Sequence, residues 1–170
     1  DAAAFSLLVS TFQPLVFRLA FRLLCDEDEA KDMVQETFVK VWLALGKYNG
    51  ECRFSTWIYK ITCNTCYDRL RSLYHSPLDN EADYSVSVNI SSDDNVELAV
   101  VNKQLRELIL RYTDELSPRQ RLIFTLRDIE ELDVPEVQTI TGLSAGIIKT
   151  TLYLARKNIR NKMNQIDAGL

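Results

Sequence analysis

Between residues 133 and 157 the chain carries two short helical patterns around a tight turn, and this unit constrains the fold more than any other stretch. Asp133 sits where an N-cap belongs, and Glu136 three residues on completes a capping box. Gly142 falls where the first helix must stop, because glycine enters the left-handed C′ conformation without strain. Ser144 caps the next helix. There Ile148, Leu152, Ala155 and Ile159 share one face, while Lys149, Tyr153, Arg156 and Arg160 form a second stripe one position along. Residues 145–157 contain cations and no acid. A helix-turn-helix whose second helix is basic is a unit for reading duplex DNA in the major groove.

The formal net charge of −4 argues against a protein that merely coats DNA. The acidity is local: from His75 to Val100 the ionised residues are Asp79, Glu81, Asp83, Asp93, Asp94 and Glu97, with no Lys or Arg. The remainder is slightly positive. No uninterrupted apolar run reaches the ~20 residues that span a bilayer, so direct membrane insertion is not expected. Cys63 and Cys66 make a C-x-x-C inside a helical pattern, but no second pair follows and the chain has one histidine. Neither a metal site nor a cofactor is expected. No Ser-His-Asp set, Gly-rich phosphate loop or paired carboxylates appear, so neither an enzyme nor a small-molecule substrate is expected.

With 5 glycines and 4 prolines in 170 residues, the chain favours helices. The expected fold is all-α: two small helical domains, 1–74 and 96–170, joined by an acidic linker over 75–95. Apolar residues recur at helical spacing over 5–24, where Pro14 is expected to bend or divide the helix near Phe12. A second helix is expected from Ala30 to about Leu45, with Met33, Val34, Phe38, Val41, Trp42 and Leu45 as its apolar stripe. A third runs from about Ser55 to Leu73, with Trp57, Ile58, Ile61, Cys66 and Leu70 inward. The stretch 75–95 has no helical period and too little apolar surface to offset chain entropy, although Val86, Val88 and Ile90 alternate. Helices resume near Val96 with Leu98, Val101, Leu105, Leu108, Ile109 and Tyr112. Ser117, Pro118 and Gln120 then make a strong start signal, followed by Leu122, Ile123, Leu126 and Ile129 on one face.

On the third helix Lys60, Asn64, Asp68 and Arg71 share a face, flanked by Arg53, Tyr59 and Arg69. Cations for phosphates with an amide and an aromatic for bases suit a nucleic-acid surface, but a polar helix face taken alone is more often simply solvated.

The segment Asp32 to Trp42, followed by Phe54 to Ile61, Asn64 and Asp68 to Arg71, resembles region two of the bacterial extracytoplasmic-function (ECF) sigma factors. Leu116 to Arg121, continued through the helix-turn-helix to Ile159, resembles region four of the same family. Together the two patterns cover nearly the whole chain in the family's order. The resemblance implies a promoter-specificity subunit of RNA polymerase that directs promoter recognition, local melting and transcription initiation in the bacterial cytoplasm. Core polymerase, promoter DNA and an anti-sigma protein, through which the factor is held at the inner membrane, are the implied partners. Polymerase docking falls to Asp32, Gln35, Glu36 and Phe38, although Phe38 and Trp42 also fit a core. The downstream (−10) element falls to the loop 47–53, with Tyr48, Asn49 and Arg53 as base readers and Lys60, Asn64 and Arg71 holding phosphates or neighbouring bases. The upstream (−35) element falls to Lys149, Thr150 and Tyr153, with Ser144, Gly146 and Ile147 near the backbone and Arg156 and Lys157 on the same basic helix. Thr150-Thr151 and Leu154 depart from the family, which often places serine, arginine or another cation there.

The acidic stretch reads either as a solvated tether or, by the resemblance, as a segment threading the RNA exit path. Two rivals make other demands. A conventional regulator, sensing a ligand or dimerising through its N-terminal helices, binds duplex DNA tightly by itself. A pure adaptor depends on neither Lys149 nor Tyr153.

Overall fold

The computed structural model describes residues 1–74, 103, 104, 107, 111–113 and 115–169. The expected linker over 75–95 and the helix face of Leu98, Val101, Leu105, Leu108 and Ile109 lie outside them. Among the described residues there is no strand. Six helices whose bounds are fully described follow in order: α1 (Ala2–Leu24), α2 (Glu27–Ala44), α3 (Phe54–Tyr74), α4 (Pro118–Phe124), α5 (Val134–Thr141) and α6 (Ala145–Ala168); residues 103, 104, 107 and 111–113 are helical as well. A 3₁₀ turn (Leu45–Lys47) follows α2, and a π-helical turn (Thr125–Ile129) extends α4.

Pro14 does not divide α1, which runs unbroken through it. The proline lies on the exposed side, so the helix loses one solvent-facing hydrogen bond there. The buried face continues beyond it through Val16, Leu19, Ala20, Leu23 and Leu24. By length and hydropathy α1 could cross a membrane, but this face packs on α2 and α3. The helix ends at Cys25, a left-handed residue at φ 54°. Asp26 then accepts from the Glu29 amide at 2.9 Å and caps α2, whose first turn holds Glu27, Asp28 and Glu29. Those acids sit at the positive end of the helix dipole. Arg69 of α3 grips Glu29 in a two-pronged pair, 2.6 Å on each arm, and ties α3 to that end of α2.

The C-terminal lobe is built by its caps. Ser117 and Gln120 form the first capping box, and Asp133 and Glu136 the second. Gly142 lies at φ 73° between α5 and α6, and an added Cβ there would meet nothing within 4 Å. The demand for glycine is therefore backbone conformation rather than space. Ile148, Leu152 and Ala155 are buried, and Ile159 is half-buried near the end of the stripe.

The lobes are not independent bodies. One apolar cluster joins Leu19, Leu23, Met33, Cys63, Cys66 and Leu70 of the first to Leu122, Ile123, Leu126, Val137, Ile140 and Ile148 of the second. A separate cluster of Val16, Val34, Phe38, Val41 and Ile58 belongs to the N-terminal lobe. Nothing in the helical periods distinguishes residues facing their own lobe from residues facing the other.

Candidate nucleic-acid and polymerase interfaces

The helix-turn-helix presents the stripe expected of it. Lys149, Thr150 and Lys157 are exposed, Tyr153 is 64% exposed, and Ile147 and Leu154 are partly so. Arg127, Lys149, Arg156, Lys157 and Arg160 line one shallow groove beside Tyr153, with no carboxylate among its lining residues. Ser144 spends its hydroxyl on the Ile147 amide at 3.3 Å, so it organises the start of α6. Gly146 is exposed beside it and leaves open space around the helix start. Arg156 is committed as well: its guanidinium makes two bonds to Asp128, at 2.6 and 2.8 Å. Asp128 raises the Arg156 pKa chiefly through those bonds. Arg156 therefore braces α6 against the π-helical turn.

On α3 the face expected from spacing is present: Lys60, Asn64, Asp68 and Arg71 are all exposed. The Arg71 guanidinium lies 5.7 Å from the centre of the Tyr67 ring. Tyr59 departs from the expectation. Its hydroxyl donates to Glu130 of the C-terminal lobe at 2.9 Å. Burial, then the Glu130 hydrogen bond and charge, push its pKa up to about 12, against an opposing effect of Arg18.

The loop before α3 corrects one assignment. Tyr48 is half-buried, donates its hydroxyl to the Cys52 carbonyl at 2.6 Å, and packs its ring 5.2 Å from both Phe54 and Trp57. Its hydroxyl is committed and its ring packs into an aromatic cluster, so it shapes the loop that carries Asn49 and Arg53. Asn49 and Arg53 are exposed. The Asn49 side-chain oxygen accepts from the Glu51 amide at 3.2 Å, a turn that Gly50 extends at φ 76°.

The face of α2 expected to meet polymerase needs a second correction. Phe38 is 7% exposed and belongs to the core of its lobe, so it offers no surface to a partner. Asp32, Gln35 and Glu36 are exposed, with Glu36 paired to Lys40 at 2.7 Å. Val39, at 59% exposure, and Leu43, at 73%, were missed by sequence reasoning. The signal was available: 32, 36, 39 and 43 recur at helical spacing, one step round from the Phe38 stripe. Trp42 is 48% exposed and meets Phe5 edge-on at 4.7 Å, so it straddles core and surface.

Two family models match this arrangement in order: Sigma-70 region 2 over residues 8–75 and Sigma-70 region 4 over residues 106–159. The ECF RNA polymerase sigma-E factor of Escherichia coli is 30% identical, across 98% of this chain and 90% of the relative. The chain belongs to the ECF family of RNA polymerase sigma factors. The RNA polymerase sigma-H factor of Pseudomonas aeruginosa is also similar, at 28% identity over 94% of this chain and 86% of its own. Among solved structures, CnrH in complex with the cytosolic domain of CnrY shares the fold with a TM-score of 0.68, at 20% identity over 97% of this chain and 90% of that one. RpoE from Bartonella quintana, solved with the anti-sigma factor NepR, gives 0.64 at 22% identity, over 95% and 97%. As a sigma factor the protein binds core polymerase and directs it to promoters. The family is one of transcription initiation factors.

Proposed function

We propose that the two lobes divide promoter recognition, with α6 reading the upstream element and the α3 face with its preceding loop capturing the downstream one. The observation that carries this is the pair of exposed polar faces, on α3 and on α6, each built on a helix whose other face is locked in a core. The N-terminal lobe corresponds to residues 1–74 and the C-terminal lobe to 96–170. Lys149, Thr150 and Tyr153 reach base edges, Lys157 meets phosphate, and Ser144, Gly146 and Ile147 bring the helix start close to the backbone. Asn49 and Arg53 are the base readers of the loop, beside Lys60, Asn64 and Arg71.

Melting follows from modest energies. Unstacking costs about 1.4 kcal/mol per step. A base held by a bidentate hydrogen-bonding side chain such as Asn49 or Arg53 returns about 1–3 kcal/mol, so one or two captured bases balance a short opening without ATP. An anti-sigma protein holds the factor in reserve in the cytoplasm, by analogy with the partners in the two solved complexes; a membrane-linked inhibitor places that reserve at the inner membrane. A gel shift on promoter duplex with and without core polymerase tests the division. Retardation only with core enzyme supports it, whereas tight binding by the isolated chain favours a conventional regulator.

Polymerase docks on the stripe of Asp32, Gln35, Glu36, Val39 and Leu43, with apolar burial supplying affinity and the acids supplying register. Val39→Asp with Leu43→Asp is expected to weaken core binding by about a hundredfold, since two exposed apolar anchors become charges in a desolvated contact. Both residues are solvent-facing, so helicity stays unchanged. Equal affinity in a titration of labelled protein with core enzyme contradicts the docking face.

A further inference from the structure

We propose that this sigma factor carries an internal clasp, in which Glu130 of the C-terminal lobe seats in a socket of Arg18, Arg22 and Tyr59 and keeps the free chain closed against core polymerase. Glu130 stands at the end of the π-helical turn, and its side chain is only 4% exposed. All three socket groups come from the other lobe. Arg22 donates to one carboxylate oxygen, Tyr59 donates to the other at 2.9 Å, and Arg18 lies 3.6 Å from that second oxygen. A second tie runs the opposite way. Buried Arg121 of α4 reaches the Leu23 carbonyl of α1 at 3.4 Å and the Thr113 carbonyl at 3.0 Å. Each lobe thus supplies the charge that the other accepts.

The local backbone is unusual where Glu130 is presented. The turn is π-helical, and the next residue, Glu131, holds a left-handed conformation at φ 57° without being glycine. Both features carry a cost, and they recur at positions kept for function. Around the clasp lies the shared apolar cluster, which separated lobes would expose to water.

The consequence rests on the division of promoter recognition proposed above. Elements labelled −10 and −35 lie about 25 base pairs apart, which is about 85 Å of duplex at 3.4 Å per pair. A compact chain of 170 residues has a radius of gyration of about 15 Å and measures roughly 40 Å across. The closed chain leaves both DNA faces exposed, yet it cannot span both elements. Polymerase must draw the lobes apart, and its apparent affinity falls with the scarcity of the open form. The clasp therefore keeps unassembled factor from engaging a promoter.

Glu130→Lys sets a cation against Arg18 and Arg22 and is the opening variant. Glu130→Gln, which keeps shape and loses charge, guards against a folding failure, with helicity by circular dichroism as the check. Small-angle scattering of the free full chain is expected to show a larger radius of gyration for both variants, more for lysine. Cys63 reports the same event. It is buried, and its pKa is raised by burial, by Cys66 and by Glu130, so its alkylation is expected to speed up when the lobes part. Apparent affinity for core polymerase is expected to rise about tenfold, and Arg22→Glu combined with Glu130→Arg to return all three readouts toward wild type. Unchanged scattering and labelling in variants of native helicity overturn the clasp. So does opening without a gain in core affinity. Neither outcome touches promoter recognition, whose own failure appears as wild-type protein that binds core enzyme and directs no defined start.

Discussion

Lys149→Ala combined with Tyr153→Ala is expected to lower transcription from a cognate promoter by about a hundredfold, with affinity for core polymerase unchanged. Each well-placed base contact in the major groove is worth about 1–3 kcal/mol, and the two side chains are neighbours on one exposed stripe. Tyr153 is 64% exposed and belongs to neither buried cluster. Ile148 and Leu152, which root the helix, are untouched. The deficit is therefore expected in promoter selection and not in folding. Run-off transcription on templates with and without the upstream element checks it: the wild type distinguishes them and the double variant does not. A variant that still prefers the upstream element contradicts the assignment of α6. Arg156→Ala makes a useful contrast, because that side chain braces Asp128. Its loss is expected to loosen the recognition helix and weaken all sequences alike.

The second large effect is on stability. Leu126 is fully buried where the two lobes share one cluster. Leu126→Ala removes packing from that cluster and is expected to lower the unfolding free energy by about 2–5 kcal/mol. For a chain of this size the Tm then falls by roughly 10 °C, at about 2–4 °C per kcal/mol. Leu154→Ala, at an exposed position on α6, is expected to change stability by no more than about 0.5 kcal/mol. Calorimetry of the two variants separates a shared core from two independent ones. If both lobes melt together in the wild type and Leu126→Ala lowers that one transition, the lobes are coupled. A loss confined to a separate C-terminal transition contradicts the coupling.

The sequence disclosed most where a residue's role is local. Caps announce themselves, because Ser117 with Gln120 and Asp133 with Glu136 must satisfy helix amides within three residues. Gly142 was legible because a left-handed helix end favours glycine over any residue with a Cβ. The basic stripe of α6 was legible because its period of 3.6 separates it from the buried Ile148 face. Pro14 misled because its disruption depends on which side of the helix meets water, and that is set by tertiary packing. Tyr48 and Phe38 misled for a related reason. An aromatic residue in a recognition segment can serve the scaffold or the partner, and composition does not say which. The clasp left no trace in the sequence at all. Arg18, Arg22, Tyr59 and Glu130 are ordinary surface residue types, spread over 112 positions, and only the docking of the lobes brings them together.

The most direct measurement is the mapping of RNA 5′ ends made by purified core polymerase with and without this protein on a template bearing its promoter. A defined start that appears only with the protein, and disappears when either the upstream or the downstream element is scrambled, is the predicted result. Random initiation that the protein leaves unaltered, despite demonstrated binding to core enzyme, contradicts the account.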